Sequence, residues 1–73
     1  MKNVKVTKIR AGLYGVDAGD GNVYTVENMQ APGDGYGREW LWYTTPAAGP
    51  FGIWFDPTFT KREAIEQIAR HFA

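Results

Sequence analysis

Apolar and polar residues alternate along the first part of the chain, and this alternation predicts β-strands. β-branched and aromatic residues at every second position favour a pleated, half-buried strand. Three segments share the pattern and are predicted strands: residues 4–10, 13–16 and 23–29. The turn-forming run DAGDGN at residues 17–22 separates the second segment from the third. These two strands are therefore predicted to form a hairpin.

The aromatic part of the sequence predicts two further strands. Residues 40–45, WLWYTT, combine aromatic and β-branched side chains, which favour a strand. Residues 51–55, FGIWF, are predicted to form a short last strand. Because Pro50 and Pro57 bracket it and proline cannot donate to a sheet, that strand is expected at an edge.

Glycine and proline predict two breaks between these strands. Residues 30–39, QAPGDGYGRE, hold three glycines and one proline and are predicted to form a mobile loop. Residues 46–50, PAAGP, are predicted to form a turn.

The last residues carry the signature of an amphipathic helix over residues 61–72. Thr60 and Glu63 form a capping box, in which the threonine oxygen accepts the backbone N–H of Glu63 and the carboxylate reaches back to the N–H of Thr60. Glu66 and Arg70 are spaced to form an ion pair on the solvent side. One apolar stripe is expected to face the sheet: Ile65, Ile68, Ala69 and Phe72.

These elements predict one α+β domain spanning residues 1–73, a small antiparallel sheet of three to five strands with one C-terminal helix packed on one face. A helix of about 12 residues is about 18 Å long and about 10 Å wide. It can cover only about half of one face of a four-stranded sheet, because strands lie about 4.8 Å apart. The other face is left without a cover from this chain.

The strand 40–45 places large side chains on both of its faces. Trp40 and Trp42 point one way, and Leu41 and Tyr43 point the other. Burial favours both tryptophans under the helix, since they offer the most apolar area. Leu41 and Tyr43, together with Trp54, are then the candidate interface with another protein or with a second copy in a homodimer. A sheet closed into a small barrel would instead bury both sets.

Charge suggests an alternative partner. Lys2, Lys5, Lys8 and Arg10 give the first ten residues a charge of +4, and residues 11–73 carry −4. These bases could contact nucleic-acid phosphates while aromatic rings stack on bases, which would need strand 4–10 to pair with strand 40–45. The simpler interpretation is an edge strand whose lysines oppose unwanted strand pairing.

The composition does not favour catalysis. The chain has no serine and no cysteine, so the usual nucleophiles are missing. His71 lies at the expected helix C-terminus, where the helix dipole accounts for it. We therefore predict no catalytic residue, no cofactor, no metal site and no enzyme. The sequence also has no signal-peptide or membrane-spanning segment, and with no cysteine it suggests a reducing cytoplasm.

The segment FTKREAIEQIARHF, after a small sheet, resembles the end of the β-β-β-α DNA-binding domains found in the arms of tyrosine recombinases and in plant ethylene-response factors. The resemblance covers residues 51–72. It implies that a three-stranded sheet reads DNA in the major groove. The chain departs from this pattern in strand 40–45, which has no arginine or lysine.

A longer part of the sequence is similar to small accessory proteins of actinobacterial phages. The resemblance lies in AGLYGVDAGDGNVYTVEN at residues 11–28, the tryptophan-rich strand, and FDPTFTKREAIEQI at residues 55–68. It implies a phage product made in the host cytoplasm that binds a host protein or its own kind. The expected function is thus non-enzymatic protein binding through an aromatic sheet face, with nucleic-acid binding as the alternative.

Overall fold

A computed structural model describes residues 3–30, 40–49 and 52–72 as a four-stranded antiparallel sheet followed by one helix. The strands lie in chain order across the sheet, so each strand pairs with its sequence neighbours. This confirms the predicted α+β class. The elements are β1 (Lys5–Arg10), β2 (Leu13–Gly19), β3 (Asn22–Gln30), β4 (Trp40–Ala48) and α1 (Lys61–His71).

The β2–β3 hairpin is tighter than the turn-forming run suggested. Only Asp20 and Gly21 lie between the strands, with φ angles of 54° and 81°. Two consecutive positive φ angles characterise the two-residue turn that matches strand twist, and Asp-Gly is one of its preferred sequences. The predicted turn over residues 17–22 was therefore too long, because both strands extend into it.

The second half of the sheet corrects two predictions. Residues 46–48 belong to β4, although they were predicted to begin a turn. Pro46 fits there because β4 is an edge strand, and the register shifts beside it. The predicted strand 51–55 is wrong in its described part, since residues 52–57 have no regular structure. The predicted mobile loop lies outside the described residues except for Gln30, which ends β3.

The helix begins as the capping box predicts. The backbone N–H of Glu63 donates to Thr60 Oγ1 at 3.1 Å. The Glu63 carboxylate does not reach back to the backbone of Thr60 as expected; it accepts the Thr60 hydroxyl at 2.9 Å. Glu66 forms the predicted salt bridge with Arg70, at 3.3 Å, and a second one with Arg62, at 2.8 Å. These pairs lie on the exposed side of α1.

The core lies between α1 and one face of the sheet, which we call the inner face. Tyr24 is its largest fully buried side chain. Its ring lies 5.6 Å from that of Phe55 and 5.9 Å from that of Phe72. Phe55 thus contributes to the core from the irregular segment before α1. The buried cluster consists of Val16, Ala18, Tyr24, Val26, Ala64 and Ile68.

Candidate functional site

The face of the sheet opposite α1, which we call the outer face, holds two of the candidate interface residues. Directly paired residues of antiparallel strands point to the same face. Leu13 pairs with Glu27 and Glu27 with Tyr43, while Met29 pairs with Leu41. These five side chains therefore lie together at one end of the outer face.

The strand β4 divides its large side chains as alternation requires, but only one tryptophan reaches the core. Trp42 packs against the buried cluster, and its ring lies 6.1 Å from that of Tyr14. Trp40 shares the inner face but is 61% exposed, so its predicted burial was wrong. Lys61, the first residue of α1, places its ammonium 4.1 Å from the Tyr14 ring. Trp40 lies two residues beyond Trp42, about 7 Å further along the strand, past the start of the helix.

The outer face is more aliphatic than the sequence suggested. Tyr43 is the one aromatic side chain that the register of the described strands places there. Leu41 and Tyr43 are half-buried, whereas Met29 and Ile9 are exposed. Gly15 leaves room beside Ile9, whose Cδ1 would lie 3.7 Å from a Cβ at that position.

Sequence reasoning missed Ile9, Leu13 and Met29 as members of this surface. Their alternation identified them as strand residues but not which cross-strand neighbours they have. The Asp-Gly turn sets the pairing of Gly19 with Asn22, and a regular hairpin continued from there would pair Leu13 with Asn28. The register shift between Asp17 and Gly19 moves the partner of Leu13 to Glu27, and the turn alone does not predict that shift.

Trp54, the third candidate interface residue, is not part of the sheet. It lies in the irregular segment 52–57 and is 74% exposed. Its neighbour Phe55 packs on Tyr24 at the inner face. The structure therefore separates Trp54 from the sheet surface that carries Leu41 and Tyr43.

The basic residues proposed for nucleic-acid contacts are dispersed. Arg10 donates to the Glu27 carboxylate at 2.7 Å, which neutralises it at the outer face. Lys5 pairs in register with Asp17, whereas Lys8 pairs with Tyr14 at the inner face. Lys2 lies outside the described residues.

The nucleic-acid site would also need β1 to pair with β4, and the structure does not have this pairing. β1 and β4 occupy opposite edges of the sheet. They do not pair, so the bases of β1 are not brought beside the tryptophans of β4. The same order leaves the sheet open, and the described strands do not form the barrel considered from the sequence.

The described residues offer little local chemistry. They enclose no pocket and contain no group of acidic or histidine side chains placed to hold a metal ion. His71 packs edge-on against Phe55, at 5.8 Å, and Phe72, at 4.9 Å.

No helix in the described part of the chain has the length and apolar character to cross a membrane. The absence of enzymatic activity stays a prediction.

No protein-family model, curated protein or solved structure matches this chain. Its function is therefore argued from its surfaces.

Proposed function

We propose that this protein is a non-enzymatic binding protein whose outer sheet face contacts another protein or a second copy of itself. The observation that supports this is the one-sided cover of the sheet. α1 packs on the inner face, and the outer face presents Leu41 and Tyr43 beside Met29, with Ile9 exposed on β1 at the opposite edge. Exposed apolar surface of this kind often marks a protein interface on a soluble protein.

The composition of the outer face fits an interface better than an ordinary solvated surface. Tyrosine is enriched among the residues that dominate binding energy, and Tyr43 lies beside the aliphatic group. The Thr25–Thr45 pair lies beside this group, and the Glu27 carboxylate, held by Arg10, lies within it between Leu13 and Tyr43. Protein interfaces commonly combine apolar contacts with hydrogen-bonding groups in this way.

The size of the face indicates what a partner must cover. Four strands of about 7 residues, about 4.8 Å apart with about 3.3 Å per residue, span roughly 19 by 23 Å. This is about half of the roughly 800 Å² that one partner contributes to a standard interface. A stable contact would use the whole face and its rim. Two sheets of this size can pack face to face about 10 Å apart.

The proposal places the protein in a cytoplasm, as an accessory product of a phage acting inside its host. Its support is the lack of cysteine and the resemblance to small phage proteins. A host protein or a second copy would then be the partner at the outer face.

The first experiment measures solution mass by light scattering across a wide concentration range. The double variant L41K/Y43T removes apolar area from the outer face, and F59T is the matched control, because Phe59 is a large exposed apolar residue outside the sheet. If the parent is a dimer, L41K/Y43T should be a monomer that still folds, as its circular dichroism spectrum and cooperative melting would verify, with a melting temperature lowered by the loss of association. F59T should leave the dimer intact.

A monomeric parent would exclude self-association and direct the test to a foreign protein. A photo-crosslinking residue at position 43 should then capture a discrete partner from the producing cells, whereas the same residue at position 59 should not. Equal capture at the two positions, or a dimer that survives L41K/Y43T, would contradict the proposal.

A further inference from the structure

The strand β1 is the least covered part of the sheet. All six of its residues are exposed, and α1 packs on β2, β3 and β4 but not on β1. Val6 is 41% exposed on the inner face and Ile9 is 57% exposed on the outer face. Apolar area is therefore left open on both faces of this strand.

One long edge of β1 has no partner among the described residues, because β1 pairs only with β2. Every second residue of an edge strand directs its N–H and C=O away from the sheet. Six residues thus offer about three donors and about three acceptors to an added strand.

The opposite edge of the sheet is partly closed. Trp42 and Thr58 exchange backbone hydrogen bonds of 2.8 and 3.0 Å along the edge of β4 that faces away from β3. Pro46 removes one donor from the same strand. A further strand is consequently accommodated better at β1 than at β4.

The charges of β1 select among possible partners. Lys5 and Lys8 form no salt bridge with the described residues, whereas Arg10 is held by Glu27. Two copies paired through β1 would bring four such ammonium groups to one seam, while Asp17, the in-register neighbour of Lys5, lies on β2 and outside that seam. An extended acidic chain would supply the missing carboxylates, since opposite charges on neighbouring strands stabilise a sheet.

We propose that the free edge of β1 accepts an extended acidic segment of a partner protein as a fifth strand. Main-chain hydrogen bonds would supply affinity, and side-chain pairs would supply specificity, as in strand addition generally. Carboxylates lie beside Lys5 and Lys8, and apolar side chains cover Val6 and Ile9. This contact uses the edge of β1, whereas the interface proposed above includes Leu41 and Tyr43 on β4 at the opposite edge; Ile9 is common to both.

The register of β1 specifies a probe. Lys5 and Ile9 lie on the outer face and Val6 and Lys8 on the inner face, by their pairing with β2 and the contact of Ile9 with Gly15. An antiparallel partner strand meets Ile9 first and Lys5 last. From its N-terminus it should therefore carry an apolar, an acidic, a neutral, an apolar and an acidic residue. The acetylated and amidated heptapeptide TVETVET has this order. The peptide TVKTVKT is its matched control of opposite charge.

The test is a titration of the isotope-labelled full chain with each peptide, followed by NMR. TVETVET should shift the amide signals of residues 5–10 and slow hydrogen exchange at the alternate β1 amides that point outward. TVKTVKT should produce neither effect. K5Q/K8Q should weaken binding of TVETVET about tenfold, whereas R62Q/R70Q, which removes the same charge from the helix, should change it less than twofold.

Three outcomes would overturn the proposal. No binding of TVETVET at about 2 mM would show that the edge lacks useful affinity. Equal binding to the parent and K5Q/K8Q would remove the role of the lysines. Binding of a twelve-nucleotide oligo-dT at β1, with no effect of the peptide there, would identify nucleic acid as the ligand. The K5Q/K8Q variant alters exposed side chains only, and its melting curve verifies that it folds.

Discussion

The two faces of the sheet are built from the same strands, yet they differ sharply in burial. On the inner face, Thr44 is only 3% exposed although its side chain is polar. On the outer face of the same strand, Leu41 and Tyr43 are more exposed although both are apolar. Thr44 is covered by α1, whose Gln67 side chain donates to its hydroxyl at 3.4 Å. Burial in this protein therefore follows the position of the helix more closely than the hydrophobicity of the strand.

The largest expected effect is the loss of Tyr24 from the inner face. Tyr24→Ala removes a fully buried ring that contacts Phe55 and Phe72, and it should cost about 4 kcal/mol. A domain of this size has about 5 kcal/mol of stability, so the variant should keep only about 1 kcal/mol and unfold at a much lower urea concentration than the parent. Circular dichroism during urea titration measures this.

Tyr43→Ala is the matched variant on the outer face. It should cost about 1 kcal/mol or less because the ring is only half-buried and lies away from α1. If the two tyrosine variants lost equal stability, the outer face would belong to the core and the contrast between the faces would fail.

The next effect separates the two tryptophans of β4. Trp42→Ala should cost about 3 kcal/mol, because Trp42 packs on the core and on Tyr14. Trp40→Ala should cost about 1 kcal/mol or less, because its side chain is mostly exposed beyond the start of α1. Thermal melting of both variants measures the difference. If the Trp40 variant were as unstable as the Trp42 variant, Trp40 would be part of the core, contrary to its exposure in the structure.

Gly49 offers a smaller test at the other end of the sheet. Its φ is 116°, and an added Cβ would lie 2.6 Å from Asn22 Oδ1 and 2.7 Å from the Gly21 carbonyl oxygen. Gly49→Ala should therefore cost about 2 kcal/mol from backbone strain and steric conflict with the hairpin turn. Gly52→Ala is the control, because no atom lies within 4 Å of its added Cβ. Equal melting temperatures of the two variants would show that β4 does not close against the turn.

The parts of the fold that were predicted correctly from the sequence depend on interactions between residues close together along the chain. The helix and its cap follow from residues three and four positions apart, such as Thr60 and Glu63, and the strands follow from alternation. The parts that it missed depend on distant residues. Phe55 packs on Tyr24 in the core, and its segment is irregular rather than a strand. Arg10 reaches Glu27 only because the register of three strands brings them together.

The candidate site was predicted in the same uneven way. Alternation placed Leu41 and Tyr43 together on one face of β4, which the strand pairing confirms. It could not show that Leu13 and Met29 belong to the same group or that Ile9 lies on the same face at the opposite edge, since that requires the order and register of all four strands. Nor could it show that Trp40 extends past the helix, because that depends on where α1 begins over the sheet.

The smallest expected effect tests the N-terminal cap of α1, the helix that covers the inner face. Thr60 Oγ1 accepts the backbone N–H of Glu63 and donates to the Glu63 carboxylate, so Thr60→Ala leaves the first turn of α1 without its cap. The cost should be about 1 kcal/mol, which lowers the melting temperature of a domain this small by about 4–8 °C. Thr60→Ser keeps the oxygen and should melt close to the parent. If Thr60→Ala melted with the parent, α1 would not depend on this cap, and its apolar packing on the inner face, through Ala64, Ile68 and Phe72, would hold it in place.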